Sequence, residues 1–391
     1  MKTTHLFLLS TFCLAQAQAY TLPKQPTKAY ECDECTKLSH DTLRANWTMT
    51  KALLESDPNK NSKSYSYNQV ITARQLHQGI GLATRAPGAV VRITPLQKKS
   101  IPELELITPE NQSLHLKDAS ALYAQDEALG ESLLTTEHQT MLQIKPELGF
   151  GTFILKSKTN TANKTDSYLL HVFDKYSLIY LQVESDSLHY QYGDQFKATI
   201  SLQDNDNSYS LDEVSASLIS ADEQIIPLKL TKIKHNKFEA NTTLLSESNT
   251  HGDNWYIEAE VISEHEDGIT RRTARTAFSY SIPSASLLNL KKVSSTPLTF
   301  TATVDVATAS RYALQSVLFR QDSAGKPIPV ETSQSSQWLE PGKQTIKFSF
   351  DNSKHLADDT LSVGYLHLTD YGQLKTVYQY DQPIKLSELV G

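Results

Sequence analysis

The chain contains one closely spaced cysteine pair that can carry structural, redox or metal chemistry. Cys32 and Cys35 enclose two acidic residues in a C-x-x-C motif. Such a pair forms a structural disulfide in an oxidising compartment, a redox centre at the start of a helix, or half of a zinc site. Only a short extended segment precedes the pair after the apolar N-terminal stretch, and no second pair completes a zinc site. We therefore expect a structural disulfide between Cys32 and Cys35.

A run of alternating side-chain oxygens offers a candidate cation site. Asp204 and Asp206 are the candidate metal ligands, and Asn205 and Asn207 alternate with them. Calcium prefers several oxygen ligands, but the glycine and the closing glutamate of a full calcium-binding loop are missing here. Because Asp and Asn also favour turns, a solvated turn is the preferred interpretation and the metal assignment stays open.

Two histidines stand near carboxylates, which is the pairing that a general base uses. His251 precedes Asp253 by two residues, and His265 comes directly before Glu266. Both fall where the strand pattern predicts exposed loops, and His265 lacks the H-E-x-x-H helix of zinc proteases. The chain also lacks a G-x-S-x-G elbow and a phosphate-binding glycine loop. We predict no catalytic residue and no cofactor, and we assign no binding residue.

The first nineteen residues have the pattern of an export signal. A lysine near the start precedes an apolar stretch over residues 6–14, and Ala17 and Ala19 form an A-x-A cleavage site. The apolar stretch is shorter than the roughly 20 residues that span a bilayer as a helix. We expect cleavage after Ala19, which removes Cys13, no membrane insertion, and a secreted or periplasmic protein.

Composition and charge limit the classes of protein to which this chain can belong. The chain has 391 residues and a formal net charge of -7, and two or three domains are the natural expectation for this length. Basic residues are spread along the sequence without a basic stripe that contains aromatics, so we expect no nucleic-acid partner. We expect a monomer.

Alternating apolar and polar residues predict a mainly β fold. The alternation is clear at 196–202, 255–261 and 298–306, as expected for antiparallel strands with one face on a core. We divide the mature chain into a mixed, β-dominated N-terminal domain with a short helix (20–183) and two immunoglobulin-like β-sandwich domains (184–283 and 287–391).

Two segments have helical features. Apolar residues at roughly helical spacing predict the short helix over residues 36–57, where Asp57 and Pro58 supply a stop. Residues 119–134 are rich in Ala, Glu and Leu, which also favours a helix.

The order of these parts resembles domain-of-unknown-function family 4785, a family of exported bacterial proteins. The local points of resemblance are residues 87–93, 192–196 and 366–370, which read PGAVVRI, YGDQF and LHLTD. The resemblance implies a three-part, secreted protein of a Legionella-like bacterium that is released by the type II route. It implies no activity, so no catalytic residue is transferred.

Three functional hypotheses follow from the sequence. The first is a secreted, non-enzymatic protein that binds a protein or glycan surface outside the cell and so interacts with a host or the environment. The second is an extracellular hydrolase with a site in the N-terminal domain, and the third is a periplasmic or surface assembly factor. A deep N-terminal pocket with paired carboxylates would favour the hydrolase, whereas a flat surface with aromatic patches would favour binding.

Overall fold

A computed structural model of the chain describes residues 19–49, 61–97, 101–125, 139–158, 166–204, 209–248, 251–266, 268–351 and 360–389. Antiparallel strand pairs dominate these residues, which confirms the predicted mainly β class. Residues 1–18 of the predicted export signal lie outside the described part of the chain.

The strands follow one another along nearly the whole described sequence. The first twelve are β1 (Tyr20–Thr21), β2 (Leu43–Thr48), β3 (Asn61–Ser64), β4 (Ser66–Thr72), β5 (Ile80–Thr84), β6 (Val90–Pro95), β7 (Leu104–Ile107), β8 (Ser113–His115), β9 (Ser120–Gln125), β10 (Thr140–Ile144), β11 (Gly151–Ser157) and β12 (Ser167–Phe173). The next nine are β13 (Tyr180–Ser185), β14 (His189–Gln191), β15 (Gln195–Gln203), β16 (Glu213–Ile219), β17 (Ile225–Pro227), β18 (Leu230–Lys234), β19 (Lys237–Thr243), β20 (Trp255–His265) and β21 (Gly268–Ser281). The last eight are β22 (Ala285–Ser295), β23 (Leu298–Val306), β24 (Ser310–Gln321), β25 (Pro327–Leu339), β26 (Gly342–Phe350), β27 (Leu361–Asp370), β28 (Lys375–Tyr380) and β29 (Ile384–Lys385).

One short α-helix, α1 (Ala73–Gln78), follows β4. Thr72 forms a capping box with Gln75: the Thr72 hydroxyl accepts from the Gln75 backbone N–H at 3.3 Å, and the Gln75 side chain accepts from the Thr72 N–H at 2.8 Å. The helix ends at Gly79, whose φ of 102° suits glycine. Three-residue and four-residue 3₁₀ turns occur at Glu34–Lys37, Pro146–Leu148 and Leu386–Leu389.

The predicted short helix over residues 36–57 is wrong where the structure describes it. This segment begins in the 3₁₀ turn Glu34–Lys37 and continues as strand β2, and residues 50–57 lie outside the description. Pairing of β2 with β25 supplies the backbone hydrogen bonds that a helix would have made internally. The helix predicted over 119–134 is also wrong at its start, because residues 120–125 form β9, which pairs with β10; residues 126–134 are outside the described chain.

The chain divides into two compact units. We call Met1–Asp57, Leu245–Asp253 and Tyr280–Gly391 the terminal unit, and Pro58–Leu244 with Asn254–Ser279 the inner unit. Strands β1 and β2 therefore belong to the terminal unit, although the sequence analysis placed residues 20–57 with the N-terminal domain. Their partners β22 and β25 come from the far end of the sequence, and this pairing carries no local signal. The other predicted boundaries stay predictions.

In the terminal unit, two sheets share one hydrophobic core. The first has the strand order β1-β22-β23-β26, and the second has the order β2-β25-β24-β27-β28, with β29 beside β27. Phe300, Phe348 and Phe350 from the first sheet are fully buried, and their ring centroids lie 5.4 to 6.0 Å apart. Leu314 and Leu368 from the second sheet belong to the same core. Immunoglobulin-like connectivity stays a prediction here.

The described residues of the inner unit form four sheets. Two of them, with the orders β4-β12-β6-β10-β9 and β5-β11-β7-β8, share a core that includes Leu106, Phe153 and Leu170. The other two have the orders β18-β19-β15-β13-β3 and β14-β21-β20-β16-β17. The rings of Phe196 and Phe278, one from each of these latter sheets, lie 5.0 Å apart. This contact joins the two sheets through their apolar inner faces.

A buried ion pair lies between these two parts of the inner unit. Arg272 on β21 and Asp174 after β12 are both fully buried, and an Arg272 guanidinium nitrogen lies 2.8 Å from an Asp174 carboxylate oxygen. Arg272 also donates to the Ser177 hydroxyl and the Ile179 carbonyl, at 2.8 and 3.0 Å. Burial lowers the pKa of Arg272 from its ordinary value, and the Asp174 charge opposes that shift. The pair ties β21 to the chain segment that links β12 to β13.

Among the described residues, no helix has both the length and the apolar character needed to cross a membrane.

Candidate functional site

The cysteine pair forms the predicted disulfide. Cys32 and Cys35 are bonded through their sulfurs, and the bond is carried by the 3₁₀ turn Glu34–Lys37. Cys35 is buried and Cys32 is half-buried. A Cβ atom on Gly372 would overlap Cys35 Sγ and the Tyr30 hydroxyl, so the disulfide packs directly on a backbone position without a side chain. The prediction of a disulfide is confirmed.

Beneath the disulfide, the fully buried Asp370 carboxylate accepts five hydrogen bonds. One oxygen, Oδ1, accepts from Ser310 Oγ at 2.6 Å and from the Gly372 N–H at 2.8 Å. The other, Oδ2, accepts from Ser284 Oγ at 2.6 Å, Tyr30 Oη at 2.9 Å and Gln373 Nε2 at 3.1 Å. Burial and then the Asp370 charge raise the pKa of Tyr30 above its ordinary value, so its hydroxyl stays protonated and donates. With every donor engaged inside the protein, this network is best explained as structural.

A cavity of about 530 Å³ lies in the inner unit, beside the hairpin of β7 and β8. The two strands are antiparallel, with Glu105 opposite His115. Glu103, which directly precedes β7, therefore lies close to His115 at the end of β8. Leu104 and Leu116 are buried and form an apolar part of the cavity wall, and the buried Thr140 on β10 adds a hydroxyl. The cavity is thus formed by strand residues together with the short segments that directly flank β7 and β8.

Charged side chains surround the cavity entrance. Lys158 Nζ donates to His115 Nδ1 at 2.8 Å and lies 3.2 Å from Glu103 Oε1. Both Glu103 and His115 line the cavity and are about three-fifths exposed. The other ring nitrogen, His115 Nε2, lies 3.2 Å from the same Lys158 Nζ. The cluster therefore presents an ammonium group, a carboxylate and an imidazole.

A tyrosine completes the polar side of the cavity. Lys117 Nζ lies 5.7 Å from the centre of the Tyr123 ring, and Asp118 follows Lys117 in the lining. Burial raises the pKa of Tyr123 above its ordinary value, so its hydroxyl remains a donor. The cavity therefore combines an apolar wall with a larger set of polar side chains, which suits a polar ligand.

Three domain profiles of one family match this chain. The Domain of unknown function (DUF4785) N-terminal domain matches residues 34–174, its central domain matches 177–281, and its C-terminal domain matches 284–387. The chain belongs to the DUF4785 family. The resemblance found in the sequence is therefore confirmed, and the cavity lies within the DUF4785 N-terminal domain.

One solved structure agrees with this assignment, and a second resembles the chain only weakly. A DUF4785 family protein from Legionella pneumophila is 57% identical, with a TM-score of 0.85, and the match covers 94% of this chain and 99% of that one. A trypsin-activated alpha-2-macroglobulin from Escherichia coli is 14% identical, and the match covers 87% of this chain and 25% of that one. Its TM-score of 0.24 is too low to indicate a common fold. No curated protein sequence matches the DUF4785 chain.

The other residues singled out in the DUF4785 sequence do not converge. Asp204 follows β15, and Asp206 lies outside the described residues. His251 Nδ1 lies 3.2 Å from the Gly372 carbonyl oxygen in the terminal unit. His265 lies in the inner unit with its ring 5.0 Å from that of Tyr209. Within the described ranges, no group of three or more His, Cys, Asp or Glu residues could hold a metal ion.

Sequence reasoning missed the cavity residues of this DUF4785 protein. Glu103, His115 and Lys158 stand far apart in the sequence and match no motif. The available signal was a pair of short alternating segments, 104–107 and 113–115, with charged residues directly outside them. Only the hairpin register and the end of β11 bring these charges together.

Proposed function

We propose that this DUF4785 protein is an exported, non-enzymatic binding protein whose N-terminal domain takes a small, charged ligand. The observation that carries the proposal is the cavity lined by Glu103 and His115 beside an apolar wall, with Lys158 in contact with both of these side chains. Opposite charges at one entrance complement a ligand that carries a carboxylate, an ammonium group, or both. By binding such a ligand, the protein would recognise a molecule of its environment or of a host surface.

The charged groups favour binding over hydrolysis. A general acid needs a carboxyl group that holds its proton near neutral pH, which usually requires an apolar pocket. Glu103 is instead about three-fifths exposed, and its carboxylate lies 3.2 Å from Lys158 Nζ. This environment suits recognition of a cationic group.

The pocket proposal predicts ligand-dependent stabilisation. We expect glycyl-glutamate, glycyl-lysine, galacturonate or citrate, tested singly at millimolar concentration, to raise the melting temperature of the wild-type protein by about 2–8 °C when ligand is about 100-fold above Kd. Lys158→Met removes the cation and is expected to abolish the shift. Lys175→Met is the matched control, since Lys175 lies near the Tyr176 ring, outside the cavity.

Differential scanning fluorimetry measures these shifts, and mass spectrometry of the ligand after incubation separates binding from turnover. A shift that persists unchanged in Lys158→Met places the ligand elsewhere and contradicts the pocket. Cleavage of a glycyl dipeptide that is lost in Glu103→Gln would replace the binding proposal with the hydrolase. No shift with any of the four compounds also counts against the pocket.

Export is supported by the disulfide together with the signal pattern at residues 1–19. Disulfides persist in oxidising compartments and are rare in the cytosol. We expect the protein made by its native cells to begin at Tyr20 and to carry the Cys32–Cys35 bond, with release to the medium by the type II route. Mass spectrometry of culture supernatant and periplasmic fractions tests this. An intact Met1 in protein confined to the cytoplasm would overturn it.

A further inference from the structure

The outer face of one sheet in the terminal unit carries a row of amide side chains. On β27, Leu366 and Leu368 point into the core, so His367 between them points outward. Strand register places one residue of each neighbouring strand in line with His367. We call this line the amide row; from β2 to β28 it consists of Ala45, Gln334, Gln315, His367 and Gln379.

Two aromatic side chains flank the amide row on the same side. Trp47, two residues from Ala45 on β2, is half exposed. Tyr365, two residues before His367, stacks on the His367 ring with centroids 3.7 Å apart. The strand register relates the positions of these two residues. Trp47 on β2 is opposite Thr332 on β25, and Thr332 is opposite Val317 on β24. Val317 is in turn opposite Gly364 on β27, the residue before Tyr365. The Tyr365 ring therefore lies beside the end of a second row that begins at Trp47 and includes the buried Val317.

The backbone at Tyr365 adopts a costly conformation. Its φ of 54° lies in the left-handed region, which costs a non-glycine residue about 1–2 kcal/mol. Here the ladder between β24 and β27 is irregular, and the turn of the backbone brings the Tyr365 ring over His367. Strained backbone of this kind is concentrated at binding and active sites, so Tyr365 is a candidate contact residue.

A hydrogen-bonded acidic residue fixes the end of the amide row. His367 Nε2 lies 2.6 Å from Asp381 Oδ1, and Gln379 Nε2 donates to Asp381 Oδ2 at 2.6 Å. Only 15% of the His367 side chain is exposed, compared with 53% for Asp381. These contacts hold the side chains in place before any ligand arrives, which reduces the ordering cost of binding.

The chemistry of this face fits a neutral, hydroxyl-rich ligand. Each glutamine amide offers two donors and one acceptor oxygen, which suits hydroxyl groups that both donate and accept. An aromatic face packs well against the C–H surface of a sugar ring. The amide row contains no lysine or arginine, so it lacks the charge complement of an anionic ligand. Neighbouring strands lie about 4.8 Å apart, so the stretch from β25 to β28 spans about 14 Å, more than a single sugar ring.

We propose that the amide row, with Trp47 and Tyr365 beside it, is a binding site for neutral oligosaccharides. The rings pack on the sugar faces, Gln315, Gln334 and Gln379 pair with hydroxyls, and the half-exposed Asp381 carboxylate accepts a further hydrogen bond from a hydroxyl. This site lies in the terminal unit and is independent of the ligand cavity of the inner unit. It gives the protein a glycan-contacting surface in addition to a small-ligand site.

Isothermal titration with cellohexaose, chitohexaose, laminarihexaose and xylohexaose tests the site. We expect wild-type protein to bind at least one of these probes with a Kd between about 10 μM and 1 mM, a range typical of exposed sites that gain little buried area. Trp47→Ala is expected to weaken binding at least 10-fold, and Gln334→Leu at least 3-fold at nearly constant volume. Tyr176→Ala, which removes an exposed aromatic in the inner unit, is the matched control and should leave the Kd unchanged.

The variants also separate this site from the cavity. Lys158→Met should leave hexaose binding intact, so failure of the charged-ligand proposal does not decide this one. The absence of heat with all four hexaoses at millimolar concentration overturns the proposal. So does a Kd that is unchanged in both Trp47→Ala and Gln334→Leu, or binding lost only in Lys158→Met. Melting curves of each variant confirm that a lost affinity does not reflect unfolding.

Discussion

Asp370→Asn is expected to lower the free energy of unfolding of the terminal unit by about 3–5 kcal/mol, since buried donors that lose a charged acceptor cost about 1–3 kcal/mol each. The substitution keeps the shape of the side chain but replaces one acceptor oxygen by an NH₂ group. That group would face either Ser310 and Gly372, or Ser284, Tyr30 and Gln373. At least two donors would then point at another donor.

Hydrogen exchange with peptide-level mass spectrometry is the suitable measurement, because it gives the protection of peptides from the terminal unit and from the inner unit separately. Faster exchange is expected in peptides from β24 and β27, while peptides from β15 and β20 keep their protection. Asp305→Asn is the matched control. Asp305 pairs with Lys24 at the surface, at 3.1 Å, and such pairs are typically worth 0–1 kcal/mol. Equal protection in Asp370→Asn and Asp305→Asn would contradict the structural role of the buried carboxylate.

Arg272→Met is expected to lower the free energy of unfolding of the inner unit by about 3–5 kcal/mol, because breaking a buried ion pair leaves an uncompensated charge. Asp174 would keep only the backbone N–H groups of Arg85 and Ala86, at 2.8 and 3.2 Å. The Ile179 carbonyl and the Ser177 hydroxyl would lose their guanidinium donor. Methionine fills much of the vacated volume, so the effect measures the charge rather than a cavity.

The double variant Asp174→Asn with Arg272→Met tests whether the uncompensated charge of Asp174 causes the loss of stability. Removing both charges should restore at least about 1 kcal/mol relative to Arg272→Met alone, because a neutral amide tolerates burial better than an unpaired carboxylate. Arg275→Met is the matched control on the same strand, where the arginine lies exposed, 3.8 Å from the Tyr256 ring centre. Urea unfolding monitored by hydrogen exchange of β12 and β21 peptides gives the comparison. A double variant less stable than Arg272→Met would sink the argument from charge.

The strands were predictable because their signal is local. Alternation over 196–202, 255–261 and 298–306 corresponds to β15, β20 and β23, in which alternate residues are buried. The sequence of β2 led to the wrong prediction of a helix, because Leu43 and Trp47, which are four residues apart, fit one face of a helix as well as one face of a strand. What decides between the two is β25, nearly 300 residues later in the sequence, and no local pattern contains that information.

The sites were harder to predict than the strands for the same reason. The disulfide required only two nearby cysteines and an oxidising compartment, so it was predictable. Asp370 gives no comparable signal, because its donors come from residues 30, 284, 310, 372 and 373, which approach one another only when both sheets of the terminal unit have formed. The same holds for Glu103 and Lys158, which meet across β7 and β11.

The early strands β1 and β2 set an order for the assembly of the terminal unit. Tyr20 on β1 is opposite Leu290, and its hydroxyl lies 3.1 Å from that of Tyr380, 360 positions away. During synthesis from the N-terminus, these two strands emerge long before their partners and carry unpaired backbone groups until β22 and β25 are made. Contacts of such high sequence separation slow folding and leave strand edges open to wrong partners meanwhile. The strands of the inner unit pair with one another within a shorter stretch of sequence, so the inner unit can fold first. The two ends of the chain come together later, in the terminal unit that contains the disulfide.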